Sequence, residues 1–189
     1  DAVKTSLSYR IRSGLVRAAP YIAAVVLGVA VYLRAAGGPF IWDDNFLLDQ
    51  LRGRGPSSPL SLFTSGFLIR PDGGADFYRP IVILSLLFDR SVWSNNPVGY
   101  HATNLALHAV SILAVAWFAW QLLRSRTGAI AAAFLFAVHP AHAESVCWIS
   151  GRTDLLCAVF TLGSLNAFLW SRAKSSRLVL AGSYLLAAL

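Results

Sequence analysis

Carboxylates are scarce in this sequence. It has nine Asp and Glu against sixteen Lys and Arg, and charged residues of both signs make up only 13% of its 189 positions. With 56% hydrophobic residues and a mean hydropathy of +0.58, this shortage of charge excludes an ordinary soluble domain and points to a membrane protein. Cysteine is equally rare. Cys147 and Cys157 both lie in apolar stretches without a CxxC spacing, which excludes a disulfide framework and leaves them as small hydrophobes. There is no GxSxG nucleophile elbow, P-loop or HExxH zinc motif, and no tandem repeat or low-complexity tract.

Long apolar runs take the place of charge. Four read as spanning helices, at about 15–34, 98–123, 128–145 and 153–171, near the ~20 residues that a bilayer requires. The third reaches that length only with the mildly polar "PAHAESVCWI", and Pro140 is expected to kink or end it. A fifth begins near 178 and runs to 189. The chain starts at Asp1 and not Met, and it ends inside "LVLAGSYLLAAL". Both features predict a fragment or processed product. The first apolar stretch closes on "YLRAAGGPF" without a convincing cleavage site, so it reads as a retained helix.

The formal charge of +7 is topological. Lys4, Arg10, Arg12 and Arg17 precede the first span. Arg124 and Arg126 connect the second and third, and Arg172, Lys174 and Arg177 follow the fourth. A cytoplasmic N-terminus puts all three clusters on the cytoplasmic side, as the positive-inside rule requires. The segment 35–97, with Arg34 at its head, then lies outside, its six arginines balanced by six aspartates. No nucleic-acid partner is expected. Counting "PIVILSLLF" (80–88) as a span would flip every later helix and turn the clusters outward. It is short, it ends at Asp89–Arg90, and Pro80 suits a first helical turn. The expected fold is thus all-α: a multi-spanning helical bundle with a large first outer loop. Short interfacial helices are expected at 45–52, about 59–68 and 80–92, separated by "RGRGPSSP" and "RPDGGAD".

On this topology the unusual polar residues fall on one membrane face. Asp43 and Asp44 follow the first span, and Arg79 sits in "FYRP". "YHATNLALH" leads into the second span, and "HPAHAESVCWISGRTDLL" (139–156) is the outer turn between the third and fourth. Either aspartate suits an N-cap as well as chemistry. Because neighbours on a helix point ~100° apart, one can cap while the other faces a site. Arg79 and Arg152 read either as snorkelling residues or as anion ligands. His101, Asn104, His108 and Ser111 share one helical face, turned toward the bundle interior, with His101 nearest the mouth. His139, His142 and Glu144 form HxxHxE, which fits hydrogen bonding in a polar mouth or a divalent metal; no metal or other cofactor is assigned. Ser150 or Thr153 suits a helix cap, with Asp154 placed against the helix dipole.

A carboxylate that takes a proton from a hydroxyl, beside cations holding an anionic leaving group, suits transfer from a membrane-borne phosphate donor. Arginine matches phosphate oxygens with a rigid fork. A lipid-binding transporter satisfies the same physics.

The strings "FIWDDN", "FYRP", "GYHATNLALH" and "HPAHAESVCWISGRTDLL", in this order around these helices, resemble the multi-spanning protein O-mannosyltransferases that carry tetratricopeptide repeats behind their membrane domain. The last string is the most specific, and the likeness covers about residues 20–189. It implies a GT-C fold of which 1–189 is the N-terminal part, a polyprenyl-phosphate-linked sugar donor, typically mannose, and inverting transfer to Ser/Thr hydroxyls of a protein acceptor. It further implies Asp43 as general base and Asp44 as orienting neighbour. Arg79 and Arg152 would hold the donor phosphate, while His101, His139, His142, Glu144 and Asp154 line the site. The implied setting is a bacterial inner membrane with a periplasmic site, or the endoplasmic reticulum with a lumenal one. The family's remaining helices and repeats are absent, so the chain alone is expected to be inactive. The rival readings are a flippase of lipid-linked sugars and a non-catalytic module that binds a membrane partner.

Overall fold

The computed structural model describes residues 2–53, 62, 63, 78–174 and 176–188, and every element among them is helical. Helix α1 (Ala2–Tyr32) runs into a 3-10 turn (Leu33–Gly37). It is followed by α2 (Asp43–Gly53), α3 (Pro80–Trp93), α4 (Pro97–Leu123) and α5 (Arg126–Val138). A second 3-10 turn (Pro140–His142) leads into α6 (Ala143–Cys147), α7 (Arg152–Lys174) and α8 (Arg177–Ala187). The helix expected near 59–68, apart from a short turn at Leu62 and Phe63, and the connections at 54–59 and 70–76 lie outside the described residues.

Three stretches are long and apolar enough to cross a bilayer: Ser13–Gly37, Pro97–Leu123 and Arg152–Lys174. A fourth is a broken pair, Arg126–Val138 and Pro140–Cys147, bent by 49°. The break has its cause in Pro140, which lacks an N–H and forces the preceding residue out of the helical region; His139 is extended (φ −67°, ψ 124°). Tyr32 at the end of α1 donates its hydroxyl to the His139 carbonyl at 2.6 Å. The same carbonyl also accepts from the His142 N–H at 3.1 Å, so the end of α1 is tied to the bend itself. Helix α8, apolar over Leu178–Ala187, is short.

Local signals set the helix ends. Pro97 occupies the first turn of α4, and the Asn96 side chain accepts from the Val98 N–H at 3.1 Å. At the other end Arg124 is left-handed (φ 50°), and Ser125 then caps α5 by accepting from Gly128 N–H at 3.2 Å. A connection of only Arg124 and Ser125 therefore reverses the chain.

Helices α1, α4 and α5 approach closely over small residues. Ala24, Ala116, Ala133 and Ala137 pack with Ile112. A Cβ on Gly28 would come within 2.6 Å of Ile112 Cδ1 and 3.2 Å of the Ala137 carbonyl, so a larger residue there forces the helices apart. Helices α4 and α7 are joined by polar pairs. Asn166 donates to the carbonyls of Ala114 (3.0 Å) and Leu162 (2.9 Å), and Gln121 donates to Asn166 Oδ1 at 2.6 Å. Ser164 of α7 donates to the Ser183 carbonyl of α8 at 2.7 Å.

At one end of the bundle lies a separate apolar cluster. Leu47, Leu48 and Leu51 of α2 pack with Val82, Ile83 and Leu86 of α3 over Tyr100, Ile149 and Leu156. This cluster fastens the first loop to the starts of α4 and α7. It is what carries the polar motifs of 43–44, 79, 101–104 and 148–154 to a common place.

Candidate functional site

Helix α2 starts immediately at the acidic pair because Trp42, just before it, turns the chain through a left-handed conformation (φ 47°). Such a conformation is costly for a bulky residue and is found where the surroundings enforce it. Trp42 is 72% exposed and sets its ring edge-to-face on Trp148 at 5.3 Å.

The two aspartates have opposite environments. Asp44 is buried, 1% exposed. One of its oxygens accepts from the Ile41 N–H (3.1 Å), and the other accepts from both the N–H (3.0 Å) and the hydroxyl (2.5 Å) of Ser150. It braces the turn that leads into α2 and ties that helix to the turn before α7. Asp43, one residue away and ~100° around the helix, is exposed. One member of the pair is thus held by hydrogen bonds and the other is open to the surroundings.

Arg152 is completely enclosed. Its guanidinium pairs with Asp89 of α3 at 2.5 Å and donates to the Tyr100 carbonyl (2.9 Å) and Asn104 Oδ1 (2.9 Å) of α4. Thr103 donates to the second Asp89 oxygen at 2.7 Å. Asn104 in turn donates to the Trp148 carbonyl at 2.9 Å. Arg152, expected as a phosphate ligand or a snorkelling residue, instead locks α3, α4 and α7 together. Asp89, read from sequence only as the end of an apolar run, is its counter-ion. The available signal was a carboxylate directly at the end of the apolar run "PIVILSLLF", where an ionised group needs a partner.

The first turn of α7 divides its side chains among three surroundings, as steps of ~100° dictate. Arg152 points inward to Asp89. Thr153 meets Arg79, whose Nη1 lies 3.4 Å from its hydroxyl. Asp154 is exposed and accepts from the Ser145 hydroxyl of α6 at 3.0 Å. The close backbone contact beneath this turn requires glycine: a Cβ on Gly151 would lie 2.9 Å from both the Glu144 carbonyl oxygen and the Ser145 Cα.

Arg79 and Thr153 stand beside a cavity of about 530 Å³. Its remaining walls are mostly apolar, among them Ile81 and Val82 of α3, Leu156 and Phe160 of α7, and Leu186 of α8. No single motif announces this groove, since it arises from the apposition of three helices.

The expected polar face of α4 is realised. His101, Asn104, His108 and Ser111 are all buried. His101 lies beside Gly38, within electrostatic reach of Asp44 and Arg152, and neither ring nitrogen has a hydrogen-bond partner among the described residues. His108 reaches the Ala137 carbonyl at 3.2 Å. The HxxHxE residues stand apart from the aspartate pair. His139 is exposed, and its ring accepts from the Ala141 N–H (3.2 Å); His142 packs on Phe136 with ring centres 4.3 Å apart; Glu144 is exposed. Among the described residues, no three His, Cys, Asp or Glu side chains converge closely enough to hold a metal ion.

Comparison with known proteins relates this sequence to one group. No protein-family model matches the chain, and no solved structure does. Curated relatives do match. "Protein O-mannosyl-transferase Tmtc1" of Drosophila melanogaster is 34% identical over 145 residues, 74% of this chain and 17% of that protein. "Protein O-mannosyl-transferase TMTC1" of Mus musculus is 34% identical over 170 residues, 84% of this chain and 18% of the relative. "Protein O-mannosyl-transferase TMTC2" of Homo sapiens is 31% identical over 147 residues, 76% of this chain and 18% of the relative. The chain therefore spans less than a fifth of the length of these relatives. Aligned over most of its own length with fly, mouse and human proteins of one name, and folded as a bundle of apolar helices, the chain belongs to the TMTC family of protein O-mannosyl-transferases.

Proposed function

We propose that this chain is the acceptor-activating part of a membrane glycosyltransferase, which moves mannose from a polyprenyl-phosphate donor to Ser or Thr hydroxyls of a protein. The observation that carries the reading is the contrast within the acidic pair. Asp44 is immobilised by three hydrogen bonds, and Asp43 beside it is exposed. A fixed neighbour holds a free carboxylate at a defined place, which is what a general base requires.

In the proposed reaction Asp43 takes the proton of the acceptor hydroxyl as its oxygen attacks the anomeric carbon. The new carbon–oxygen bond forms on the face opposite the breaking bond to phosphate, so the configuration inverts. The electron pair leaves with the polyprenyl phosphate through an oxocarbenium-like transition state. Arg79, at the mouth of the groove, stabilises the charge that develops on the phosphate, and the apolar walls receive the first units of the lipid. Arg152 is a positioning residue, holding the Ser150 turn and through it Asp44. His101, with its unpartnered ring nitrogens close to Asp44, lines the same pocket. The site faces the periplasm or the lumen, because this orientation leaves the three basic clusters cytoplasmic.

The test uses the full-length protein in lipid, with a polyprenyl-phosphate mannose donor and a Ser/Thr-rich acceptor peptide. Asp43→Asn is expected to lower transfer by about 10²–10⁴-fold, the usual worth of a positioned base, while thermal stability stays unchanged. Near-normal transfer would remove Asp43 from the mechanism. Release of free polyprenyl phosphate only when acceptor is present supports transfer. Movement of intact donor across the bilayer without such release would assign a flippase.

A further inference from the structure

The opposite end of the bundle holds a second groove, with chemistry of a different kind. Between α1 and α4 lies a cavity of about 350 Å³ lined by Tyr21, Leu113, Ala116, Trp117 and Trp120. Both tryptophans are 45% exposed. Arg17 lies one turn before Tyr21 on α1 and continues that residue's helical face. Arg124, the left-handed residue just past the end of α4, turns back over Trp120, so both stand at the groove's basic end.

Three contacts organise that end. The Arg124 guanidinium lies 6.0 Å over the Trp120 ring. Arg126 donates to the backbone carbonyl of Arg17 at 2.7 Å, which brings the α4–α5 turn against α1. The small residues Ala24, Ala116 and Ala133 hold the helices close behind the groove. Arg17, Arg124 and Arg126 are all exposed, and no carboxylate among the described residues lies at this end. Every described acidic residue, Asp43, Asp44, Asp49, Asp89, Glu144 and Asp154, belongs to α2, α3 or the elements around the 139–152 turn.

The geometry points to this groove as a seat for one anionic phospholipid, its headgroup phosphate held by Arg17 and Arg124 and an acyl chain lying along Tyr21, Trp117 and Leu113. Charge complementarity selects the occupant. Among the described residues no carboxylate neutralises the two guanidiniums, and basic pockets between spanning helices bind anionic headgroups. Tyr21, Trp117 and Trp120 lie toward the basic ends of their spans, and indole and phenol rings favour the interface. A diffuse basic surface would attract the same lipids without the groove, and another helix of the full-length protein would exclude them, so the experiment separates these cases.

Full-length protein in nanodiscs containing phosphatidylcholine and a minor fraction of phosphatidylserine is extracted and its retained lipids are counted by native mass spectrometry. Retention of one phosphatidylserine in preference to phosphatidylcholine is expected. Arg17→Gln with Arg124→Gln is expected to weaken that retention roughly 30-fold, about fivefold for each basic residue at the membrane surface. Arg17→Lys with Arg124→Lys keeps most of it. Leu113→Trp, a change at a half-exposed wall, fills the groove and displaces the lipid with all charges intact. Arg172→Gln with Lys174→Gln, on exposed positions outside the groove, leaves retention unchanged. Equal retention of the two lipids overturns the assignment. So does an equal loss in the Arg172/Lys174 variant, which would mean a diffuse surface, or full retention in Leu113→Trp. A covering helix would appear as no retained phosphatidylserine in the unsubstituted protein, which also overturns it.

Discussion

The two ends of the bundle handle charge in opposite ways. At the end built from α2, α3 and the 139–152 turn, Asp44, Asp89 and Arg152 are buried and answered by partners from other elements, beside the exposed Asp43, Glu144 and Asp154. At the end bearing Arg17, Arg124 and Arg126 the cations are exposed, and the described contacts they make are with an aromatic ring and a backbone carbonyl. The difference teaches that a charge count alone says little about a membrane protein. One end converts a few charges into fixed geometry, and the other keeps its charges available to the membrane.

The sharpest way to break this contrast is to unpair the buried end. Arg152→Met leaves Asp89 buried without its cation, and removing one partner of such a pair costs about 3–5 kcal/mol. The expected outcome is a large drop in the melting temperature of the detergent-solubilised protein. Adding Asp89→Leu restores most of it, because an apolar pair of similar bulk needs no counter-ion. A smaller effect is expected at Ser150→Ala. It deletes the hydroxyl that reaches Asp44 but keeps the Ser150 N–H bond, a loss of about 1.5–3 kcal/mol for a hydrogen bond to a charged group. Proteolysis within the first loop should become faster while the spans stay protected. Smaller again is Asn166→Ala, which removes the polar link between α4 and α7; such links inside membranes average about 0.6 kcal/mol and reach about 1.7. A shift of only a degree or two in melting temperature is expected. An effect as large as that of Arg152→Met would place the main fastening of the bundle in its middle and not at its end.

Much of the fold is legible in the sequence because membrane helices advertise themselves locally. The spans follow from uninterrupted apolar runs, and Pro140 marks the break in the third. The polar face of α4 follows from residues three and four apart. The relation of Arg152 to Asp89 does not follow, because the two are far apart along the chain and their pairing depends on how α3 meets α7. Arg152 alone looks like an anion ligand, and Asp89 alone looks like a helix terminator. The division of labour between Asp43 and Asp44 is half visible. Helical geometry says that the two must point apart, but only the position of Ser150 decides which is held. The groove beside Arg79 is invisible for the same reason, since its walls come from α3, α7 and α8, each of which looks like ordinary apolar helix.

The bonds from Ser150 to Asp44 join residues 106 positions apart, and the hydroxyl of Tyr32 meets a carbonyl 107 positions away. Synthesis proceeds at about 5–20 residues per second, so the acidic pair emerges roughly 5–20 s before the turn that will hold it. During that interval Asp44 has neither the hydroxyl nor the amide of Ser150, and Tyr32 has no His139. The acidic pair therefore acquires its fixed geometry late, once the chain has passed through the membrane far enough to present the start of α7. Assembly of the acidic pair's surroundings is timed by the arrival of α7, well after its acids have been made.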